Sequence, residues 1–292
     1  MQENSPGVPA SGRPPGMANA VTVDAEEWND TVLFHGAPGG GNFSGNAAAI
    51  LTLLAERGVK ATFFVLGDLA LRYPSEIARI AAAGHEVASH GHTHKSLWRM
   101  DRREFALDLK KSREAISLVA GAAPAGYRSP TWSLNGKEKE FLPIIRDAGF
   151  SYDSSLYPAG FGAAPRCPWE IIPDLTEVPP SVFKLAGFGL PFLGGTFLRW
   201  AGAGFLKRQI GELNASGLPA VLYFHTWEFD REPPRPVPFP TRFIQYHNIK
   251  SVPVKVDSLL RDFAWAPVRD ILKIKDPLPP DGGRGGFKVR PP

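Results

Sequence analysis

One junction recurs along this chain and constrains its fold more than any other feature: a helical segment, then a glycine, then a short apolar run. It appears at Ala55-Glu56-Arg57-Gly58 before Ala61–Val65, and at Ala82-Ala83-Gly84 before Glu86-Val87-Ala88. It returns at Asp147-Ala148-Gly149 before Phe150-Ser151-Tyr152, and at Ala215-Ser216-Gly217 before Ala220–Phe224. Glycine just past a helix takes the left-handed conformation that ends the helix and turns the chain back to a sheet. Repeated strand–helix units predict an α/β fold with a parallel sheet. Adding Ala20–Val23, Ala125–Tyr127 and Thr176–Val178 gives about seven parallel strands, a distorted (β/α) barrel short of the usual eight.

The 292 residues, 43% of them hydrophobic, suffice for such a core. The net charge of +4 comes without a Lys/Arg-rich run, so no nucleic-acid partner is expected. The single cysteine, Cys167, rules out an intramolecular disulfide and a Cys-rich zinc site; a metal here must use His and carboxylate. No uncharged apolar run reaches the length of a transmembrane segment, since Lys184, Arg199 and several glycines interrupt the nearest, Val182–Phe205. The Pro/Gly/Ser-rich start over 1–18 lacks an apolar export core and reads as a disordered leader, which makes a cytoplasmic location the expectation. Residues 276–292 read as a disordered tail. Between them, 19–275 form the barrel, with an aromatic, Gly/Pro-rich insertion over 158–208 predicted to cap or wall a groove. Trp169, Phe183, Phe188, Phe192, Phe197 and Trp200 in it are candidates to stack on sugar rings. The sequence sets no oligomeric state.

The polar residues that carry chemistry sit where strands end. Asp24 and Glu26 follow the first strand and share a face by the strand's period of two, while Glu27 points the other way. His90 and His94 lie in Ser89–His94, where a helical bend after the strand would bring i and i+4 to one side; His92 fits a wall position instead. A two-His, one-carboxylate set with open positions suits Zn²⁺, and also Fe²⁺, Co²⁺ or Ni²⁺. Arg128, stiffened by the nearby Pro130, can lock a carboxylate such as Asp24 with its guanidinium. Asp153 and His225 end two further strands, and a contact between them would favour the protonated imidazole. In barrels the C-terminal strand ends form the active face, so these residues are expected to converge.

The ordered segments TVDAEEW, SHGHTH, YRSPTW, YDSS and YFHTWE resemble the successive motifs of the polysaccharide deacetylases with a NodB homology domain, carbohydrate esterase family 4, over roughly residues 20–265. The DxE, HGxxH and FHxWE forms are most similar to the exosortase-associated exopolysaccharide deacetylase subgroup, as is the C-terminal extension over 240–265. The resemblance implies a NodB-like barrel that removes N-acetyl groups from a glycan with a divalent metal. It makes Asp24 the general base, Glu26, His90 and His94 the metal ligands, and His225 the general acid; Arg128 orients Asp24, and Asp153 tunes His225. Two departures stand out. The usual pair of adjacent aspartates is replaced by Asp-Ala-Glu-Glu, which makes Glu27 a second candidate ligand, and Gly91 replaces a hydroxyl residue after the first metal histidine, which is expected to loosen that loop. Allantoinase-like ureide hydrolysis and a catalytically silent carbohydrate-binding protein are the competing readings.

Overall fold

The computed structural model describes residues 17–31, 41–157, 160–161, 166–230, 239 and 241–274. The strands in chain order begin β1 (Asn19–Ala25), β2 (Thr62–Val65), β3 (Glu86–Ser89), β4 (Gly126–Tyr127), β5 (Tyr152–Asp153) and β6 (Gly160–Phe161). They continue with β7 (Trp169–Ile172), β8 (Leu175–Glu177), β9 (Val182–Leu185), β10 (Phe188–Pro191), β11 (Val221–His225) and β12 (Trp265–Ala266). The main sheet runs β11-β1-β2-β3-β4-β5-β8-β7, with β12 beside the start of β1. From β11 to β8 every neighbour is parallel, which gives the seven expected strands; β7 is antiparallel to β8. Strand β1 is flanked on both edges and buried along its whole length, which is why it reads as a near-continuous apolar run that turns acidic at its end.

The recurring junction works as its composition predicts. Gly58, Gly84, Gly149 and Gly217 all have positive φ, from +60° to +86°, and each returns its helix to the sheet. The curl does not close by a strand ladder. Between β8 and β11 the gap is bridged by Ser181, whose Oγ accepts from Val221 N at 2.7 Å, and by Leu193, whose carbonyl accepts from Tyr223 N at 3.1 Å. Gly194 lies so close to Tyr223 that a Cβ there would fall 2.1 Å from the ring, so a larger residue would wedge this seam open.

The region 158–208 divides by environment. Its β7–β8 hairpin completes the main sheet, β6, β10 and β9 make a separate three-stranded sheet, and the helices Gly195–Trp200 and Ala203–Ala215 lead back to β11. Of the aromatic residues expected to meet sugars, Phe192 is buried and Phe183 packs against it and Phe205, so these two serve the core. Phe197 and Trp200 are exposed. Residues 1–16 and 275–292, where the leader and tail are expected, lie outside the described residues. Among the described residues no helix is long and apolar enough to cross a membrane.

Candidate active site

The C-terminal ends of the parallel strands meet at a cleft lined by Asp24, Glu26, His90, His94, Arg128 and His225, among others. Asp24 on β1 stands in register with His225 on β11. Adjacent parallel strands thus set the two side chains together, with His225 Nε2 3.9 Å from Asp24 Oδ2 and 4.0 Å from Glu26 Oε1. His90 and Arg128 are the residues immediately beyond β3 and β4. Each continues the ladder by one backbone bond, His90 N to Val65 O and Arg128 N to Ser89 O, both 2.9 Å.

Glu26, His90 and His94 form a buried triad whose ligand atoms lie within 4.8 Å of one another. Glu26 Oε2 is 2.8 Å from His94 Nε2 and 3.8 Å from His90 Nε2, and accepts no other hydrogen bond among the described residues. Its Oε1 accepts from Trp227 Nε1 at 2.9 Å. His90 Nδ1 meets the Arg128 carbonyl at 2.8 Å; as the Nδ1–H tautomer, it turns the Nε2 lone pair to the centre, the usual arrangement behind a metal ligand. Burial raises the Glu26 carboxyl, but His94, His225 and His90 overcome that and hold it at about 2. Burial pushes His90 down to about 4 against the pull of Asp24 and Glu26, whereas for His94 Glu26 outweighs burial and raises it. The ionised carboxylate of Glu26 and the neutral imidazole of His90 are the states a metal takes as ligands, and a cation beside Glu26 would displace the proton that Glu26 favours on His94, so the donor set fits a divalent cation.

The loop that joins the two histidines is not a helical bend. Gly91 at φ +80° and His94 at φ +55° are both left-handed, and this double reversal brings the rings to a centroid distance of 5.2 Å. Gly91 does not loosen the loop. Its backbone conformation calls for glycine, a Cβ would fall 3.0 Å from Asp108 Oδ2, and Asp108 ties the loop by accepting from His92 N at 2.9 Å. His92 packs against Gly67, away from the triad. Glu27 is not a ligand either: its carboxylate is held by Arg72, in a close ion pair, and by Tyr73 Oη at 2.9 Å.

Arg128, 1% exposed, donates through Nη1 to Asp24 Oδ1 at 2.7 Å and to Thr22 Oγ1 at 3.0 Å. Its Nη2 donates to Ser154 Oγ at 3.0 Å, and the guanidinium lies 4.0 Å over the Phe64 ring. One edge of the fork therefore fixes Asp24 while the other is anchored to the strand end at β5.

The expected Asp153–His225 contact is replaced by another. His225 Nδ1 meets Glu228 Oε2 at 3.0 Å, and the same oxygen accepts from His225 N at 2.9 Å, because a short helical turn after β11 folds Glu228 back on the histidine. Glu228 Oε1 is in turn paired with the buried Arg199. Burial lowers the His225 imidazole, but Glu228, Glu26 and Asp24 together raise it to about 9. Asp153 instead accepts from Ser155 Oγ at 2.5 Å, and Ser155 Oγ accepts from Ser129 N at 2.7 Å, which props the Arg128–Ser129 loop. Burial raises Asp153 to about 6 and, with Asp153 beside it, raises Glu177 well above the carboxylate range, so this pair retains a proton at neutral pH. Glu228 stands in the YFHTWE motif three residues after His225, a spacing that could have flagged it; Arg199 lies in the insertion with no local signal at all.

Two family models match the chain: Polysaccharide deacetylase over residues 31–152, and a domain of unknown function, DUF3473, over 154–273. The first contains His90, His94 and Arg128; the second contains Arg199, His225 and Glu228. A peptidoglycan-N-acetylglucosamine deacetylase of Bacillus cereus is 37% identical over 81 residues, 28% of this chain and 30% of that protein. A chitooligosaccharide deacetylase of Rhizobium leguminosarum bv. trifolii is 45% identical over 106 residues, 36% and 49% of the two chains. The chain thus spans from under a third to about half the length of these relatives. Among solved structures, a family 4 carbohydrate esterase from Streptomyces lividans aligns with a TM-score of 0.51 at 15% identity, covering 91% of this chain and 99% of that one. PuuE allantoinase aligns with a TM-score of 0.60 at 17% identity, covering 90% and 93%. At these identities the structures establish the fold, a curled parallel sheet shared by both. Residues 31–152, which carry His90, His94 and Arg128, thus match the polysaccharide deacetylase family of NodB homology, and residues 154–273 match the domain of unknown function that follows them here.

Proposed function

We propose that this protein is a metal-dependent hydrolase that removes N-acetyl groups from a polysaccharide or oligosaccharide and releases acetate. The observation that carries the reading is the placement of Asp24 and His225, in register on adjacent strands, beside the Glu26–His90–His94 triad. A divalent ion held by that triad, Zn²⁺ first and Co²⁺, Ni²⁺ or Fe²⁺ by the same donors, supplies polarisation of the amide carbonyl and acidifies water. Asp24, fixed by Arg128, accepts the proton of the attacking water. His225 enters as imidazolium and gives its Nε2 proton to the departing amine, so that the C–N bond breaks to acetate and a free amino sugar.

Hydrolysis of a small ureide is the second reading, favoured by the allantoinase likeness in fold. The open cleft, with Trp132 and Tyr223 in its wall and exposed aromatics at its rim, favours a glycan. The test is acetate release from N-acetylated oligosaccharides by protein stripped with chelator and restored with each metal. Activity lost and regained upholds the reading; metal binding with ureide turnover alone replaces it. Asp24→Asn is expected to cut turnover by about 10²–10⁴-fold with metal content unchanged, and loss of the metal would reassign Asp24 as a ligand.

A further inference from the structure

We propose that an exposed aromatic cluster at the cleft rim is a second sugar site, on which further pyranose rings of the same glycan strand lie. It rests on the reading of the cleft as a glycan deacetylase site. The helices Gly195–Trp200 and Thr241–Tyr246 meet at the rim, where Thr196, Arg199 and Gln245 line the cleft and Arg199 Nη2 donates to Gln245 Oε1 at 3.2 Å. The next residue after Arg199 is Trp200, 49% exposed; two residues before Gln245 is Phe243, 48% exposed. Trp200 meets Phe243 edge-on at 5.6 Å and His247 at 4.8 Å, and Phe243 lies 5.1 Å from His247. Phe197 and Ile244, each about two-fifths exposed, widen the patch.

Single exposed apolar side chains are ordinary, but a contiguous group of them marks a binding surface. Three features favour sugar as the occupant. The patch is continuous with the cleft wall, because Trp200 and Phe243 sit on the two helices that supply Arg199 and Gln245. Its apolar part is chiefly aromatic, and a flat ring matches the C–H face of a pyranose as an aliphatic side chain does not. The polar groups beside the rings tie them to the cleft wall, since Arg199 Nη2 donates to Thr196 Oγ1 at 3.1 Å as well as to Gln245 Oε1 and Asn248 Nδ2 donates to the Arg199 carbonyl at 3.0 Å, so the rings are held in place for a strand that enters the cleft. A strand on this platform carries an N-acetyl group in the cleft at a fixed distance, so the substrate is a linear glycan longer than the sugar that reacts.

The test uses β-linked N-acetylglucosamine mono- to hexasaccharides, with calorimetric binding to the Asp24→Asn protein and acetate release by the metal-loaded protein. The hexasaccharide is expected to bind more tightly than the monosaccharide. Trp200→Ala or Phe243→Ala should lower hexasaccharide affinity about ten-fold and raise KM alike, with monosaccharide binding and kcat unchanged and Trp200→Phe restoring most of the loss. Equal losses for all lengths, no effect of Trp200→Ala, or Trp200-dependent capture on phosphatidylglycerol vesicles without a length effect would overturn the platform. Trp200-dependent hexasaccharide binding with no acetate released from any oligomer would uphold the platform and remove the deacetylase reading.

Discussion

Arg128 and Arg199 are both about 1% exposed, and each faces a buried carboxylate, yet they reach the cleft by different routes. Arg128 leaves the end of β4 and touches Asp24 directly, anchored by Thr22 and Ser154 from neighbouring strands. Arg199 comes from a six-residue helix in the insertion and acts on His225 only through Glu228. That helix is itself held from its far end, where Lys255 Nζ donates to the carbonyls of Leu198 and Arg199 at 2.9 and 2.8 Å. Asp24 and His225 both stand on the sheet, on β1 and β11; the arginine behind the proposed base comes from the sheet as well, whereas the one behind the proposed acid comes from the segment that bridges the open seam. The contrast teaches that a half-open barrel can draw the supports of two facing side chains from different layers, one from the sheet and one from the segment added across its seam.

Arg128→Met is expected to have the largest effect. It leaves Asp24 and the Ser154 groups buried without their donor, which costs about 3–5 kcal/mol in denaturant unfolding and nearly all acetate release. Full activity in this variant would break the comparison on its base side. Arg199→Met should be smaller, about 2–3 kcal/mol, because Glu228 still faces the His225 imidazolium. A rate loss without a change in metal content would assign it to the acid side.

Glu228→Gln sharpens the same point without removing volume. In metal-free protein His225 is expected to titrate at about 9, and in Glu228→Gln to fall toward the ordinary value of about 6.5, read from its ring proton shifts. The sign follows from the pair: the imidazolium's stabilisation is fully present below about pH 6.5 and is lost as pH rises through about 9. An unchanged titration would remove Glu228 from the role given to it here.

The smallest effect is expected at Asp153 and Glu177, which prop the base side from behind. Their folded pKa values are raised, so protonation of the pair stabilises the fold fully below about pH 4; Asp153's part is lost as pH rises through about 6, and Glu177's at higher pH. Glu177→Gln keeps the bond that Leu156 N makes at 3.0 Å and should flatten the fall in thermal stability over that interval by about 1 kcal/mol. A slope equal to that of the parent protein would show that the pair does not carry the proton.

How much of this was legible in the sequence differs between the two sides. The four helix–glycine–strand junctions announce the parallel sheet because each depends only on a few adjacent residues, and all four glycines take the left-handed turn. Asp24, Glu26, His90, His94, Arg128 and His225 stand at strand ends, so the barrel rule brings them to one cleft, where the structure has them. Asp153 and His225 do not touch, because strand-end position brings residues to the same face without fixing which neighbours meet: Asp153 bonds Ser155, and His225 bonds Glu228. Glu27 stays open as a ligand on strand period alone; its partners, Arg72 and Tyr73, stand where the helices Gly67–Arg72 and Pro74–Ala82 meet, beyond β2. Phe183 and Phe192 could not be told from Phe197 and Trp200 by composition, since burial depends on what packs over them.

The sequence by itself determined the strand–helix repeat, the parallel sheet and the residue types gathered at its C-terminal edge, because local propensity, glycine geometry and strand period act over short stretches of chain. Only the tertiary structure decided that His225 answers to Glu228 and Arg199, that Gly91 and His94 reverse the loop between the two histidines, and which aromatics face water. Those outcomes depend on contacts between segments remote in sequence, such as Arg199 with Glu228 or Lys255 with Leu198, and on how the open seam between β8 and β11 is filled.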